Sequence, residues 1–105
     1  MNEMIDMIVR ATSFVFGIEA KDLCSPSRKR EIVIARRAAS WMCLSEGIPA
    51  RMLSDVFCTT RWCINRMQSE ARCINDVWFW SKVKDIREMI STEIAHNKHG
   101  DNLES

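Results

Sequence analysis

The sequence predicts a single small all-α domain of five to six helices. Its 105 residues allow one modest core but not a second domain of ordinary size. Only 3 glycines and 2 prolines are present, too few for the frequent turns of a β-sandwich. Apolar residues recur at helical spacing in several segments. We expect the domain to occupy residues 1–95, followed by a flexible tail over 96–105.

The first half of the chain divides into a helix, a short helical turn and a long helix. Apolar residues spaced from Met4 to Val15 predict the first helix, and Gly17 predicts its C-cap. Residues 18–23 fit one short helical turn. The break at residues 25–27 (Ser-Pro-Ser) offers caps to a long helix over residues 28–45. The buried stripe of this helix is expected to contain Ile32, Ala35, Ala39, Met42 and Cys43.

The second half predicts three more helices. Gly47 ends the long helix, and Pro49 occupies a first-turn position of a helix that runs to about Phe57. Thr59 or Thr60 caps the next helix, which runs to about residue 73. Asn75 or Asp76 caps the last helix, whose apolar stripe contains Phe79, Trp80, Val83, Ile86, Ile90 and Ile94.

The fourth and fifth predicted segments form a candidate helix-turn-helix of the Trp-repressor type. Two helices joined by about three residues have the geometry of this unit, in which the second helix enters the DNA major groove. Its first turns would present Arg61, Trp62 and Asn65 to base edges, because arginine pairs with guanine and asparagine with adenine. Many all-helical proteins that do not bind DNA contain the same topology.

Charge is distributed unevenly along the chain. Residues 28–72 carry nine basic and four acidic side chains, whereas the flanks carry six basic and ten acidic ones. The run Arg28-Lys29-Arg30 stands at a predicted helix N-terminus, where cations oppose the macrodipole, and this indicates an external anion. The basic centre therefore favours a nucleic acid over a neutral partner.

Cysteine usage and hydropathy predict a cytoplasmic protein. The five cysteines are odd in number and form no Cys-x-x-Cys pair, which is typical of reduced thiols, most of them expected in the core. The longest apolar runs fall short of the 18 residues that a membrane span needs. We recognise no set of metal ligands, no motif for a cofactor or nucleotide, and no catalytic pair of residues. We therefore expect that the protein is not an enzyme.

One continuous segment resembles a known family. Residues 16–39 contain Gly-Ile-x-x-x-Asp-Leu-x-Ser-x-x-Arg-x-Arg-x-Ile, followed by Ala-Arg-Arg-x-Ala. This run is similar to the C-terminal DNA-binding domain of the bacterial replication initiator DnaA. The similarity continues more loosely over residues 5–90, and it implies a nucleoid-associated, double-stranded DNA-binding protein from a bacterium or phage.

The resemblance implies roles for individual residues. Arg28 would enter the minor groove, with Lys29 and Arg30 beside it in the same loop. Arg36 and Arg37 would lie along the phosphate backbone. We add three further phosphate contacts on the helix-turn-helix, namely Arg51, Thr59 and Thr60.

The chain departs from the family in the segment with which the family recognises the DNA sequence. Thr60, Arg61, Trp62 and Cys63 stand where the family has Asp, His or Arg, Thr and Thr. We therefore expect a stand-alone, sequence-preferring duplex-binding protein that regulates replication initiation or transcription. The alternative is a protein-interaction module that kept the fold but lost specific DNA reading. For that alternative, Trp78 and Trp80 on the last helix are the candidate residues for a homodimer or a protein partner.

Overall fold

The protein folds into six α-helices, as a computed structural model shows. The structure describes residues 3–73 and 75–104, with the backbone alone for residues 71, 72 and 96–104. The helices are α1 (Glu3–Phe16), α2 (Ala20–Leu23), α3 (Arg30–Ser45), α4 (Ala50–Val56), α5 (Arg61–Arg72) and α6 (Val77–Glu104). No strand occurs in the described residues, and the predicted all-α class is confirmed.

Helix α3 is the centre of the fold. In the described part of the chain it packs against each of the other five helices, whereas α6 packs only on α1 and α3. Its small residues Ala35, Ala38 and Ala39 are fully buried, which lets neighbouring helices approach closely on several sides. The largest buried side chains around it include Leu23, Leu53, Phe57, Ile64 and Ile86. One continuous apolar core therefore holds α4 and α5 on one side of α3 and α1 and α6 on another.

Both predicted glycine C-caps are confirmed. Gly17 adopts φ +67, and the Ile18 N–H donates to the Ser13 carbonyl at 3.1 Å. Gly47 adopts φ +84, and the Ile48 N–H donates to the Cys43 carbonyl at 3.1 Å. This is the Schellman arrangement, in which a left-handed residue closes the last helical turn.

Replacing Gly17 with alanine is expected to lower the free energy of unfolding by about 1 kcal/mol. A Cβ at this position meets no atom within 4 Å, so the cost comes from the left-handed backbone and not from a clash. Asparagine tolerates this conformation better and should cost less. Chemical denaturation of the two variants measures the difference, and equal stability of the alanine variant and the original protein would contradict the assignment.

Three local predictions need correction. Ser25 and Ser27 do not cap α3, whose N-cap is Lys29, with no side-chain hydrogen bond. Their hydroxyl oxygens instead accept from the Ser27 and Lys29 N–H groups within the loop, each at 3.3 Å. Pro49 is the N-cap of α4 and not its first helical residue. Phe14 belongs to the apolar residues that predict α1 between Met4 and Val15, yet it is 76% exposed and lies outside the buried face of the helix.

Asp76, one of the two predicted caps of α6, does cap the helix, since its carboxylate oxygen accepts from the Trp78 N–H at 2.9 Å. The predicted stripe is confirmed in Phe79, Val83, Ile86 and Ile90, which are buried. Helix α6 continues to Glu104, but the side chains of residues 96–105 lie outside the described residues, and the flexible tail stays a prediction.

Candidate nucleic-acid interface

Helices α4 and α5 are joined by a tight turn over residues 57–60. Phe57 is fully buried and anchors the turn to the core, together with Leu53 from α4 and Ile64 from α5. Cys58 adopts φ 51, a left-handed conformation that reverses the chain direction within a short connection. The length of the turn and the anchoring on both sides fix α5 relative to α4.

Thr60 caps α5, as one of the two alternatives predicted. Its hydroxyl oxygen accepts a hydrogen bond from the Cys63 N–H at 3.1 Å. Thr60 is exposed and Thr59 is half-buried. The Thr60 hydroxyl therefore has a structural task, whether or not it also meets a phosphate.

The three predicted base-reading residues share the solvent face of α5. Arg61, Trp62 and Asn65 are all exposed, and Trp62 retains 65% of its accessible surface. The guanidinium of Arg66, one turn further on, lies 5.2 Å from the centre of the Trp62 ring. We call the surface formed by Arg61, Trp62, Asn65 and Arg66 the α5 face. It presents hydrogen-bond donors and a large aromatic ring at the beginning of one helix.

The basic loop before α3 lies next to this helix pair. Arg28 and Lys29 are exposed in this loop, and Arg30, which was predicted to share the loop, is instead the exposed first residue of α3. Cys58 Sγ lies 3.0 Å from the Cys24 carbonyl oxygen, so the end of α2 contacts the α4–α5 turn. The segment that leads into the basic loop therefore contacts the α4–α5 turn, whereas Arg28 and Arg30 themselves lie beside Asp76 and Trp78 at the start of α6.

Arg36 is a structural residue and does not fit the predicted phosphate contact. Its side chain is 5% exposed. Nε donates to the Leu23 carbonyl at 3.2 Å, and Nη2 donates to the Ser25 carbonyl at 2.5 Å. Desolvation by burial lowers the pKa of Arg36. The guanidinium thus joins the end of α2 and the following loop to α3, and it is not available to DNA.

Arg37 is only partly available. Its Nη2 lies 2.9 Å from Glu70 Oε2, and Glu70 Oε1 in turn accepts from Arg66 Nε at 2.9 Å. One carboxylate therefore joins α3 to α5 and orients Arg66 on the α5 face. The Nε of Arg37 is buried and has no hydrogen-bond partner among the described residues.

A cleft of about 500 Å³ lies beside the basic loop. Its polar lining consists of Arg28, Arg30, Arg37 and Asp76, and Trp78 and Phe79 contribute apolar surface. Three arginines and one carboxylate give the cleft a positive character that suits an anion. Arg37 therefore lines the same cleft as Arg28 and Arg30.

The remaining predicted residues are more scattered. Arg51 is exposed at the start of α4. Trp78 is 51% exposed, with its ring centre 5.8 Å from that of Phe16 in an edge-to-face arrangement. Trp80 is half-buried and packs edge-on against Trp41, with 5.1 Å between ring centres. Of the two tryptophans proposed for partner contact, Trp78 has the open surface.

The cysteine thiols differ from one another in burial and in pKa. Cys43 is buried, and burial raises its pKa to about 12. Burial also raises the pKa of Cys24. By contrast, side-chain hydrogen bonding with Thr60, and then with Thr59, lowers the pKa of Cys63 at the start of α5. The expectation that most thiols lie in the core is wrong, because Cys43 is the one buried cysteine of the five, with Cys24 and Cys63 half-buried and Cys58 and Cys73 exposed.

Iodoacetamide near neutral pH is expected to alkylate Cys63 well before Cys43, because the thiolate is the reactive species. Peptide mass mapping at successive times measures the order of modification. Bound duplex DNA should slow the reaction at Cys63, which lies in the first turn of α5. Faster alkylation of Cys43 in the folded protein would contradict both its burial and the assigned pKa directions.

Sequence reasoning missed two residues of this region, Arg66 and Glu70. Their spacing of four residues on one helix is the usual signal of an ion pair and was available in the sequence. The participation of Arg37 in the same carboxylate depends on how α3 crosses α5, which no local pattern contains.

Comparisons with known proteins find no match to a protein-family model and none to a curated protein. None of the helices in the described part of the chain is both long enough and apolar enough to cross a membrane. Within the same residues, no three His, Cys, Asp or Glu side chains come together in a group that would hold a metal ion.

Proposed function

We propose that this protein binds double-stranded DNA with a sequence preference and regulates replication initiation or transcription. The observation that carries the proposal is the α5 face. Arg61 and Asn65 are exposed one turn apart near the beginning of a helix that follows a tight turn. In a helix-turn-helix these positions meet base edges in the major groove.

The charges around α5 support the same function. Arg61 and Arg66 are exposed on the helix itself, Arg28 is exposed in the loop before α3, and Arg30 is exposed as the first residue of α3. Backbone neutralisation by such side chains supplies most of the non-specific affinity of DNA-binding proteins. A loop arginine beside an A·T-rich minor groove also meets an enhanced negative potential. Arg28 is the residue we assign to that groove.

The resemblance of residues 16–39 to the initiator domain adds the biological context. It suggests that the chain marks, occupies or competes for sites used in replication or transcription. Because Trp62 and Cys63 replace two hydroxyl residues of the family motif, we expect the preferred sequence to differ from the usual initiator box.

A selection of bound sequences from a random duplex pool tests the proposal. The protein should enrich a defined motif, and mobility shifts at low salt should confirm binding to it. A matched control is Lys84→Ala, which removes an exposed cation from α6, a helix that contacts neither α4 nor α5 in the described residues. Absence of a shift with every duplex at low salt would end the proposal.

A second candidate function is a protein-interaction module, which the half-exposed Trp78 favours. Exposed aromatic rings are frequent anchors of protein interfaces. In that case a protein partner would bind the Arg28→Ala variant as well as the original chain, and Trp78→Ala would abolish binding. The opposite pattern with duplex DNA supports the first candidate.

A further inference from the structure

A second surface feature lies between the end of α1 and the middle of α6. It is a groove of about 770 Å³ with Phe14, Val15 and Met89 as its apolar residues. Phe14 is 76% exposed and Met89 is 37% exposed, so the groove leaves a large aromatic side chain unburied in the single chain. Exposed apolar surface of this kind with a polar rim is typical of an interaction site.

The rim of the groove is acidic. Asp85, Glu88 and Glu93 line it, and none of the lining residues in the described part of the chain is basic. Glu93 lies 3.1 Å from Arg10, and Glu88 lies 4.0 Å from Lys84, both as exposed pairs that contribute little. Asp85 has no ion-pair partner among the described residues. The groove therefore suits an apolar anchor that is flanked by cations.

The chain itself carries a surface of that chemistry. On the α5 face, Trp62 is 65% exposed and its ring contact is with Arg66. Arg61, the residue before the tryptophan, adds a second exposed cation on the α5 face. Tryptophan and arginine are the residues that most often carry the binding energy of an interface.

We propose that the groove of one copy receives Trp62 of a second copy. The tryptophan ring would pack on Phe14 and Met89, and the arginines beside it would face Asp85 and Glu88. Within one chain, α3 lies between α5 and α6, which do not contact each other in the described residues. The two complementary surfaces therefore meet between molecules.

Such a contact joins two different surfaces and repeats from copy to copy. A heterologous interface of this type gives head-to-tail assembly unless a rotation closes it. The assembly itself does not depend on DNA. Only one consequence rests on the proposed function, namely that duplex DNA competes with self-association because both use the α5 face.

Two complementary variants test the proposal without DNA. Phe14→Lys places a cation in the groove, where it repels the incoming arginines. Trp62→Glu removes the anchor and places a carboxylate where the groove is acidic. Both new charges interact favourably with the helix macrodipole, because the introduced lysine lies near the C-terminus of α1 and the introduced glutamate near the N-terminus of α5.

Sedimentation velocity from about 10 μM to 1 mM covers the range in which a small interface associates. The original chain should associate with rising concentration and dissociate in high salt. Each variant alone should associate at least about tenfold more weakly, as loss of an interface anchor predicts. An equimolar mixture should form a one-to-one pair and nothing larger, because it contains one intact groove and one intact α5 face.

Circular dichroism confirms that the variants are folded, and Phe14→Ser with Trp62→Ala provides a milder pair with the same readout. Val77→Lys changes another exposed apolar residue, 85% accessible, and should leave association unchanged. A monomeric original chain over the whole range would overturn the proposal. So would association that survives both variants, a mixture that stays monomeric, or loss of association in the Val77 control.

Discussion

Replacing Arg36 with alanine is expected to lower the free energy of unfolding by about 3 kcal/mol, because hydrogen bonds to a buried charged group are strong. The change removes both donors from the Leu23 and Ser25 carbonyls and leaves them without these partners inside the fold. It also removes a side chain that is 5% exposed and leaves a void. Chemical denaturation followed by circular dichroism measures the loss.

Two further variants show whether the loss of stability comes from the burial of Arg36 or merely from the loss of one positive charge. Arg36→Met restores much of the packing, so we expect it to be more stable than the alanine variant. Arg30→Ala removes an exposed arginine of the same helix and should change stability by no more than about 0.5 kcal/mol. Equal stability of the Arg36 and Arg30 alanine variants would show that Arg36 does not hold the loop.

Replacing Arg61 with alanine is expected to reduce the preference for the selected duplex by about 1–3 kcal/mol, the discrimination of one bidentate base contact. Arg61 is exposed in the first turn of α5, so the change should not disturb the core. Binding to a scrambled duplex should weaken much less, because the loop arginines still contact the backbone. Competition mobility shifts with the selected and scrambled duplexes measure the two affinities.

A control variant must remove one positive charge, as Arg61→Ala does, at a position away from α5. Lys84→Ala removes one positive charge from α6 and should leave the preference unchanged. If Arg61→Ala and Lys84→Ala weaken both duplexes to the same extent, Arg61 acts through general charge, and base reading at α5 is wrong.

The sequence was most informative where structure is determined locally. Gly17 and Gly47 end helices because few other residues adopt a left-handed conformation without strain. Thr60 and Asp76 cap α5 and α6 because their short side chains reach the free N–H groups of the first turn. Such features depend on a few neighbouring residues, so both glycines were predicted outright, and Thr60 and Asp76 were each one of two predicted caps.

Arg36 and Phe14 were assigned to the wrong environments for opposite reasons. Arg36 is charged and follows a basic run, but it lies on the same stripe of α3 as Ile32, Ala39 and Cys43. Its burial is possible because one carbonyl at the end of α2 and one in the following loop accept its hydrogen bonds, which is a tertiary property. Phe14 is apolar, yet it lies beside the buried stripe of α1 and points away from the core.

The candidate interface was predictable in part. The exposure of Arg28, Arg61 and Asn65 follows from their positions on a loop and on the outer side of a helix. The ion pairs of Glu70 with Arg37 and Arg66 depend on the way α5 packs against α3. The apolar periodicity of a helix predicts which of its faces is buried, but it does not predict which residues of other helices contact that face.

The salt dependence of duplex binding tests the central claim most directly. For the original protein, log affinity should fall linearly with log salt, and each arginine that contacts a phosphate should contribute about 0.9 to the slope. Removing the charges of Arg28 and Arg30 together should reduce the slope accordingly, while Lys84→Ala leaves it unchanged. Binding that is independent of salt, or a slope equal in all three proteins, would contradict duplex recognition through the basic loop and the α5 face.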